Sequence, residues 1–107
     1  MQIVVDNSAG GDVPFADEVA RGLGELGFEV ESRRPNPRAK FDTSVNLLKA
    51  GVAIRVSERP DRATLDQIAD VVRAALQHRS SLRRRTRSVP IHLGETARVI
   101  DWIDVFG

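Results

Sequence analysis

Five arginines, Arg79, Arg83, Arg84, Arg85 and Arg87, fall within the stretch HRSSLRRRTR at residues 78–87, with no acid among them. Guanidinium groups pair bidentately with phosphates, and a cluster of them releases counterions on binding nucleic acid, so this run is a candidate phosphate or nucleic-acid contact. The plainer reading is a solvated connection from a helix to a strand. Aromatic side chains that would stack on bases are missing from the neighbourhood in sequence: Phe15, Phe28 and Phe41 are scattered, and no segment carries the aromatic-rich signature of an RNA-recognition sheet. Phosphate contact is therefore open, and sequence-specific readout is not indicated. Of the sixteen basic residues only Lys40 and Lys49 are lysine, a bias that codon usage in a GC-rich genome would produce by itself.

The second chemistry-bearing stretch is Val99 to Phe106. As a strand it places Ile100, Trp102 and Phe106 on one side and Val99, Ile103 and Val105 on the other, so both faces are largely apolar, each interrupted once by Asp101 or Asp104. A strand of this kind is either central, covered on its second face by a loop, or a partner surface. Aromatic anchors dominate interfaces, and Trp102 is the only tryptophan, so Ile100, Trp102 and Phe106 are the candidate partner-interface residues.

Other candidates are better explained by structure. Asp6, Asn7, Ser8, Gly10 and Gly11 lie between a first strand and a first helix, where α/β proteins bind anions. They match neither G-x-G-x-x-G nor the Walker pattern, and Asp12 would compete with a phosphate. His78 and His92 have no metal-ligand spacing, and Ser80, Ser81 and Ser88 are not set in a G-x-S-x-G elbow. No catalytic residue, cofactor or metal ligand is assigned, and enzyme is the least supported class. Cysteine is absent, which excludes thiolate chemistry and a disulfide framework.

The elements that must position these groups follow from periodicity. Leu65, Ile68, Val72, Ala75 and Leu76 share one stripe of a helix opened by a Thr64/Gln67 capping box or by Asp61 as N-cap. Phe15, Val19, Leu23 and Leu26 form a second stripe, entered through Asp12 and Pro14 and closed by Gly27, giving a helix over about residues 14–26. Strands are expected at Ile3–Val5, at Phe28–Arg34 with Glu29, Glu31 and Arg33 on a wet face, and at Val52–Val56. A terminal pair follows, Val89–Leu93 and Val99–Phe106. Pro90 lacks an N–H, which argues that its strand is an edge or is paired on one side only. Residues 35–43 read as loop, and Thr43–Ala50 as a short helix or a strand. The order β-α-β-(short element)-β-α-β-β implies one 107-residue α+β domain: a single sheet of about five strands with two main helices on one face, ferredoxin-like or a related split βαβ arrangement.

The net charge of +1 conceals segregation. Residues 1–31 carry −6, residues 32–87 carry +9 and residues 88–107 carry −2, so different faces can steer partners of different charge. No apolar run approaches the ~18 residues of a membrane span and no leader is evident, so a cytoplasmic location without membrane contact is the expectation.

The helix from Leu65 running into the arginines to Arg87, followed by the terminal hairpin Val89–Val105, resembles the small effector-associated accessory domains of actinobacterial conflict and signalling systems. The resemblance covers under half the chain and implies a non-catalytic accessory module working with a partner effector. Two functions are thus in view: a protein-interaction module, homo-oligomeric or accessory, using the C-terminal strand with Trp102, and a nucleic-acid or phosphate binder using Arg79 to Arg87.

Overall fold

The computed structural model describes residues 1–35 and 51–106. The expected loop beyond residue 35 and the ambiguous element Thr43–Ala50 lie outside the described residues. Eight elements follow one another: β1 (Gln2–Asp6), α1 (Val13–Glu25), β2 (Glu29–Arg33), β3 (Ala53–Val56), α2 (Arg62–Gln77), α3 (Ser80–Arg85), β4 (Ser88–Leu93) and β5 (Val99–Asp104). The fold is α+β, with one mixed five-stranded sheet of order β2-β1-β3-β4-β5 and both main helices packed on the same face. β1 runs parallel to β2 and antiparallel to β3, β3 parallel to β4, and β4 antiparallel to β5. Each parallel pair is joined through a helix, as a parallel crossover requires.

Local chemistry sets the helix ends. The Asp12 carboxylate accepts the Phe15 amide at 2.9 Å, and Asp61 accepts the Thr64 amide at 2.8 Å. Asp61 is therefore the cap of α2, and the Thr64 capping box is not used. Each cap satisfies a backbone donor that the first helical turn leaves without a partner. α1 stops at Glu25, and Gly27, at φ 94°, supplies the left-handed residue that turns the chain into β2. This termination corrects one expectation. Phe15, Val19 and Leu23 are buried, but Leu26 has left the helical stripe and is 50% exposed.

The core lies between the helices and one sheet face. Ile3, Val5, Ile54, Val56, Val89, Ile91 and Ile103 meet Phe15, Val19 and Leu23 of α1 and Ile68, Val72, Ala75 and Leu76 of α2. The helices approach closely at Gly22, where a Cβ would come within 2.8 Å of Val71 Cγ1. This glycine trades helix propensity for contact.

Two further expectations change. Pro90 sits in an interior strand, because β4 is paired on both sides. Its missing N–H is tolerated because the register with β3 begins only at Ile54 opposite Ile91, one residue further on. The arginine run is no open connection: Ser80–Arg85 forms the short helix α3, anchored by buried Leu82 and ended at fully buried Thr86.

Candidate functional site

Two groups of arginines occupy different parts of the molecule. The first lies on the sheet face turned away from the helices. Arg55 on β3 donates through Nε to Asp6 Oδ2 at 2.8 Å and through Nη1 to the carbonyls of Gly94 at 3.0 Å and Thr96 at 2.8 Å. Asp6 also accepts the Ser8 amide at 3.0 Å and the Ser8 hydroxyl at 2.6 Å. Arg33 on β2 forks onto Glu95 of the β4–β5 loop, with Nη1 to Oε2 at 2.7 Å and Nη2 to Oε1. The loop is thereby held across β3 and β1, and it covers part of the second sheet face. Burial works to raise the Asp6 pKa, but the hydrogen bonds from Arg55 and Ser8 and the Arg55 charge outweigh it and hold the carboxyl below its ordinary value. His92, beside Arg55 in register, is pushed below the ordinary imidazole value, first by burial and then by the Arg55 charge. Every charge in this group is answered within the fold, so it reads as structural.

The second group is the sequence run. Arg79 is drawn out of it: its Nη2 lies 2.8 Å from Asp12 Oδ2, tying the start of α3 to the cap of α1. Arg83, Arg84, Arg85 and Arg87 are exposed, and none forms an ion pair among the described residues. Because Leu82 and Thr86 are buried, these side chains project from a fixed base.

The last strand is neither central nor covered. β5 ends the sheet order; Ile103 and Val105 are buried, while Trp102 is 48% and Phe106 68% exposed. A register shift between Ile91 and His92 separates Ile100 from this pair: Ile100 is half-buried and packs against the core cluster. Trp102 and Phe106 are instead joined by groups that the sequence places far away. Arg84, Arg87, Ser88, Trp102, Asp104 and Phe106 line one shallow depression of about 590 Å3. The aromatic side chains missing from the arginine run in sequence are thus supplied in space by Trp102 of β5 and by Phe106 just beyond it. Only the pairing of β4 with β5 creates this junction, so no local sequence signal announces it.

The backbone edge of β5 is closed to strand addition at two points. The Val105 amide points inward, donating to Arg87 O at 3.0 Å, so the alternating groups of Trp102 and Asp104 point outward. The Trp102 amide is taken by the Asp101 carboxylate at 2.8 Å, and the Asp104 carbonyl by Arg73 Nε from α2 at 2.7 Å. The Phe106 amide is taken by Asp104 Oδ1 at 2.9 Å. Edge strands protected by charged side chains resist backbone pairing. What this edge offers a partner is its side chains.

The remaining sequence candidates have structural duties. Asn7 is buried, its amide donating to Arg33 O and its Nδ2 to Gly11 O, and Asp12 caps its own helix. His78 Nδ1 lies 2.6 Å from Glu18 Oε1, joining the end of α2 to α1. Among the described residues no group of three or more His, Asp or Glu side chains is placed to hold a metal ion, and no helix is long and apolar enough to cross a membrane. No family description, curated protein or solved structure matches the chain.

Proposed function

We propose that this chain is a non-catalytic, cytoplasmic protein-interaction module that docks through the side chains of Trp102, Phe106, Arg84 and Arg87. The accessory role implied by the effector-associated resemblance is of this kind. The observation that carries the reading is the shared depression, in which the exposed aromatic side chains of Trp102 and Phe106 stand beside Arg84 and Arg87, at an edge strand whose backbone is closed at two points. Tryptophan and arginine are the residues in which interface energy concentrates. The depression also contains the Asp104 carboxylate, which suits a protein partner of mixed charge better than a phosphate backbone. The test is the mass of the chain by light scattering. Trp102→Ala is expected to lower the oligomeric mass with the circular dichroism spectrum retained, and an unchanged mass would sink this reading of the surface.

A second reading rests on Arg83, Arg84, Arg85 and Arg87, four exposed cations without ion pairs among the described residues, two of which, Arg84 and Arg87, share a depression with Trp102 and Phe106; cations beside aromatic side chains are the combination that single-stranded nucleic acid uses. It predicts binding of labelled oligonucleotides by fluorescence anisotropy, with log K falling by roughly 0.7 to 0.9 per decade of salt for each phosphate contacted. Absence of binding at low salt would leave these arginines to a protein partner.

A further inference from the structure

Three large apolar side chains stand exposed among the described residues: Trp102, Phe106 and Leu26. The first two sit beside Arg84 and Arg87. Leu26 sits between Glu25 and Glu29 in the turn from α1 to β2, and both of these acids are exposed and make no ion pair among the described residues. The sheet puts the two patches as far apart as it can. β2 and β5 are its opposite edges, and the pairing directions make β1, β2 and β5 run the same way. Leu26 precedes the start of β2 and Phe106 follows the end of β5, so the patches occupy diagonally opposite corners of a body whose longest extents are 33 and 29 Å. One corner is aromatic and basic, the other aliphatic and acidic.

We propose that these corners are complementary and that the occupant of each is a second copy of this chain: Trp102 and Phe106 of one copy seat on Leu26 of the next, with Arg84 and Arg87 facing Glu25 and Glu29. The proposal rests on the reading of the Trp102 surface as a protein-docking site and adds its partner. Charge complementarity selects the occupant, because unpaired acids lie beside one exposed apolar group and unpaired arginines beside the others. The corners lie diagonally opposite, so each is assigned to a different neighbour and the contact is heterologous. Repetition of a heterologous contact gives a head-to-tail chain or a closed ring, whereas a mass that stops at the dimer would mean that both corners of one copy engage both corners of a single partner and would overturn the head-to-tail arrangement. Strand addition is not required, in keeping with the capped edge of β5.

The experiment is sedimentation velocity of the full chain over a concentration series, repeated from about 0.05 to 0.5 M salt, where screening shortens to a few ångströms. The average mass is expected to pass that of a dimer as concentration rises, and to fall with salt. Trp102→Ala/Phe106→Ala removes one corner and Glu25→Arg/Glu29→Arg the other, and Leu26→Ser serves as a second acidic-corner variant should the charge reversal disturb folding by circular dichroism. Each variant alone is expected to be a monomer, and a one-to-one mixture of a basic-corner with an acidic-corner variant is expected to form a complex of two chains and nothing larger. Loss of assembly in Trp102→Ala/Phe106→Ala with wild-type mass in both acidic-corner variants overturns the head-to-tail contact and leaves the Trp102 docking surface standing. A wild-type chain that is monomeric throughout overturns both. Assembly of wild-type mass that a labelled single-stranded DNA leaves intact supports the protein contact. DNA binding by a chain that does not assemble gives the basic corner to nucleic acid instead.

Discussion

The arginines of the open sheet face and those of α3 are chemically identical and physically opposite. Arg55 and Arg33 are spent on the fold, one on Asp6 and two loop carbonyls, the other on Glu95. Arg83, Arg84, Arg85 and Arg87 have exposed guanidinium groups and no ion pair among the described residues. The difference lies in burial. The Asp6 and Arg55 side chains retain only 9% and 17% of their exposure, so each would be costly to leave without the other, whereas a solvated arginine is stable alone. An abundance of arginine therefore marks no site by itself. A site is marked where arginines without partners stand next to apolar surface that water would otherwise cover.

The comparison can be broken most forcefully at Arg55. Arg55→Ala leaves Asp6 largely buried with only Arg33, 3.9 Å away, as counter-ion and leaves two carbonyls without their donor, and is expected to destabilise the fold by about 3 kcal/mol, read as a shift of the urea midpoint. A loss below about 1 kcal/mol, the range of an exposed pair, would mean that the network is no more structural than the α3 arginines. Asp12→Ala comes next. It removes both the α1 cap and the Arg79 contact, for an expected loss of about 1 to 2 kcal/mol, against about 1 kcal/mol for Asp61→Ala, which removes a cap alone. Equal losses from the two would show that the Asp12–Arg79 pair contributes nothing.

Acidity probes the network through Asp6 and His92, while the Asp61 cap, its carboxyl pKa also lowered by the Thr64 hydrogen bonds, adds to the carboxylate stage. Asp6 is held below its ordinary 3.8, so the unfolded chain takes up its proton first. The stability contributed by this carboxylate is complete above about pH 3.8 and is lost as the pH falls from there through the folded-state value. His92 is depressed below 6.5 and also protonates first in the unfolded chain, so its loss begins higher, as the pH falls below about 6.5. Urea midpoints measured between pH 8 and 3 are expected to fall in these two stages. His92→Gln should abolish the first stage, and persistence of that stage in the variant would reject the assignment. The smallest effect on stability belongs to the second arginine group: Arg83→Ala/Arg84→Ala/Arg85→Ala should shift unfolding by no more than about 0.5 kcal/mol while weakening association. A larger destabilisation would place these arginines in the fold with Arg55.

Much of this architecture is legible in the chain. Aliphatic side chains spaced along Leu65–Leu76 define α2 because a helix repeats every 3.6 residues, and the alternation of Glu29, Val30, Glu31 and Ser32 defines a strand with one wet face because a strand repeats every two. These periodicities also predict two helices on one side of a single sheet. Leu26 shows their limit: it continues the apolar stripe of α1, yet the turn at Gly27 leaves it exposed. Pro90 shows another, since whether a proline is tolerated depends on where its neighbour's pairing begins.

By itself the sequence determined the α+β class, the entry to α1 through Asp12 and Pro14, the aliphatic stripe that each helix buries, and the prominence of Trp102 and of the arginine run, while the choice of Asp61 over Thr64 as the α2 cap came from the structure. The former depend on contacts within a few residues, or on periodicity that any packed core must respect. Tertiary structure alone decided which arginines are spent and which stand open, and that Trp102 and Phe106 meet Arg84 and Arg87 while Ile100 turns to the core. It also decided that the acidic Leu26 corner lies across the sheet from them. Strand order and register bring together residues far apart in sequence, and pairing energies of that range leave no mark on local composition.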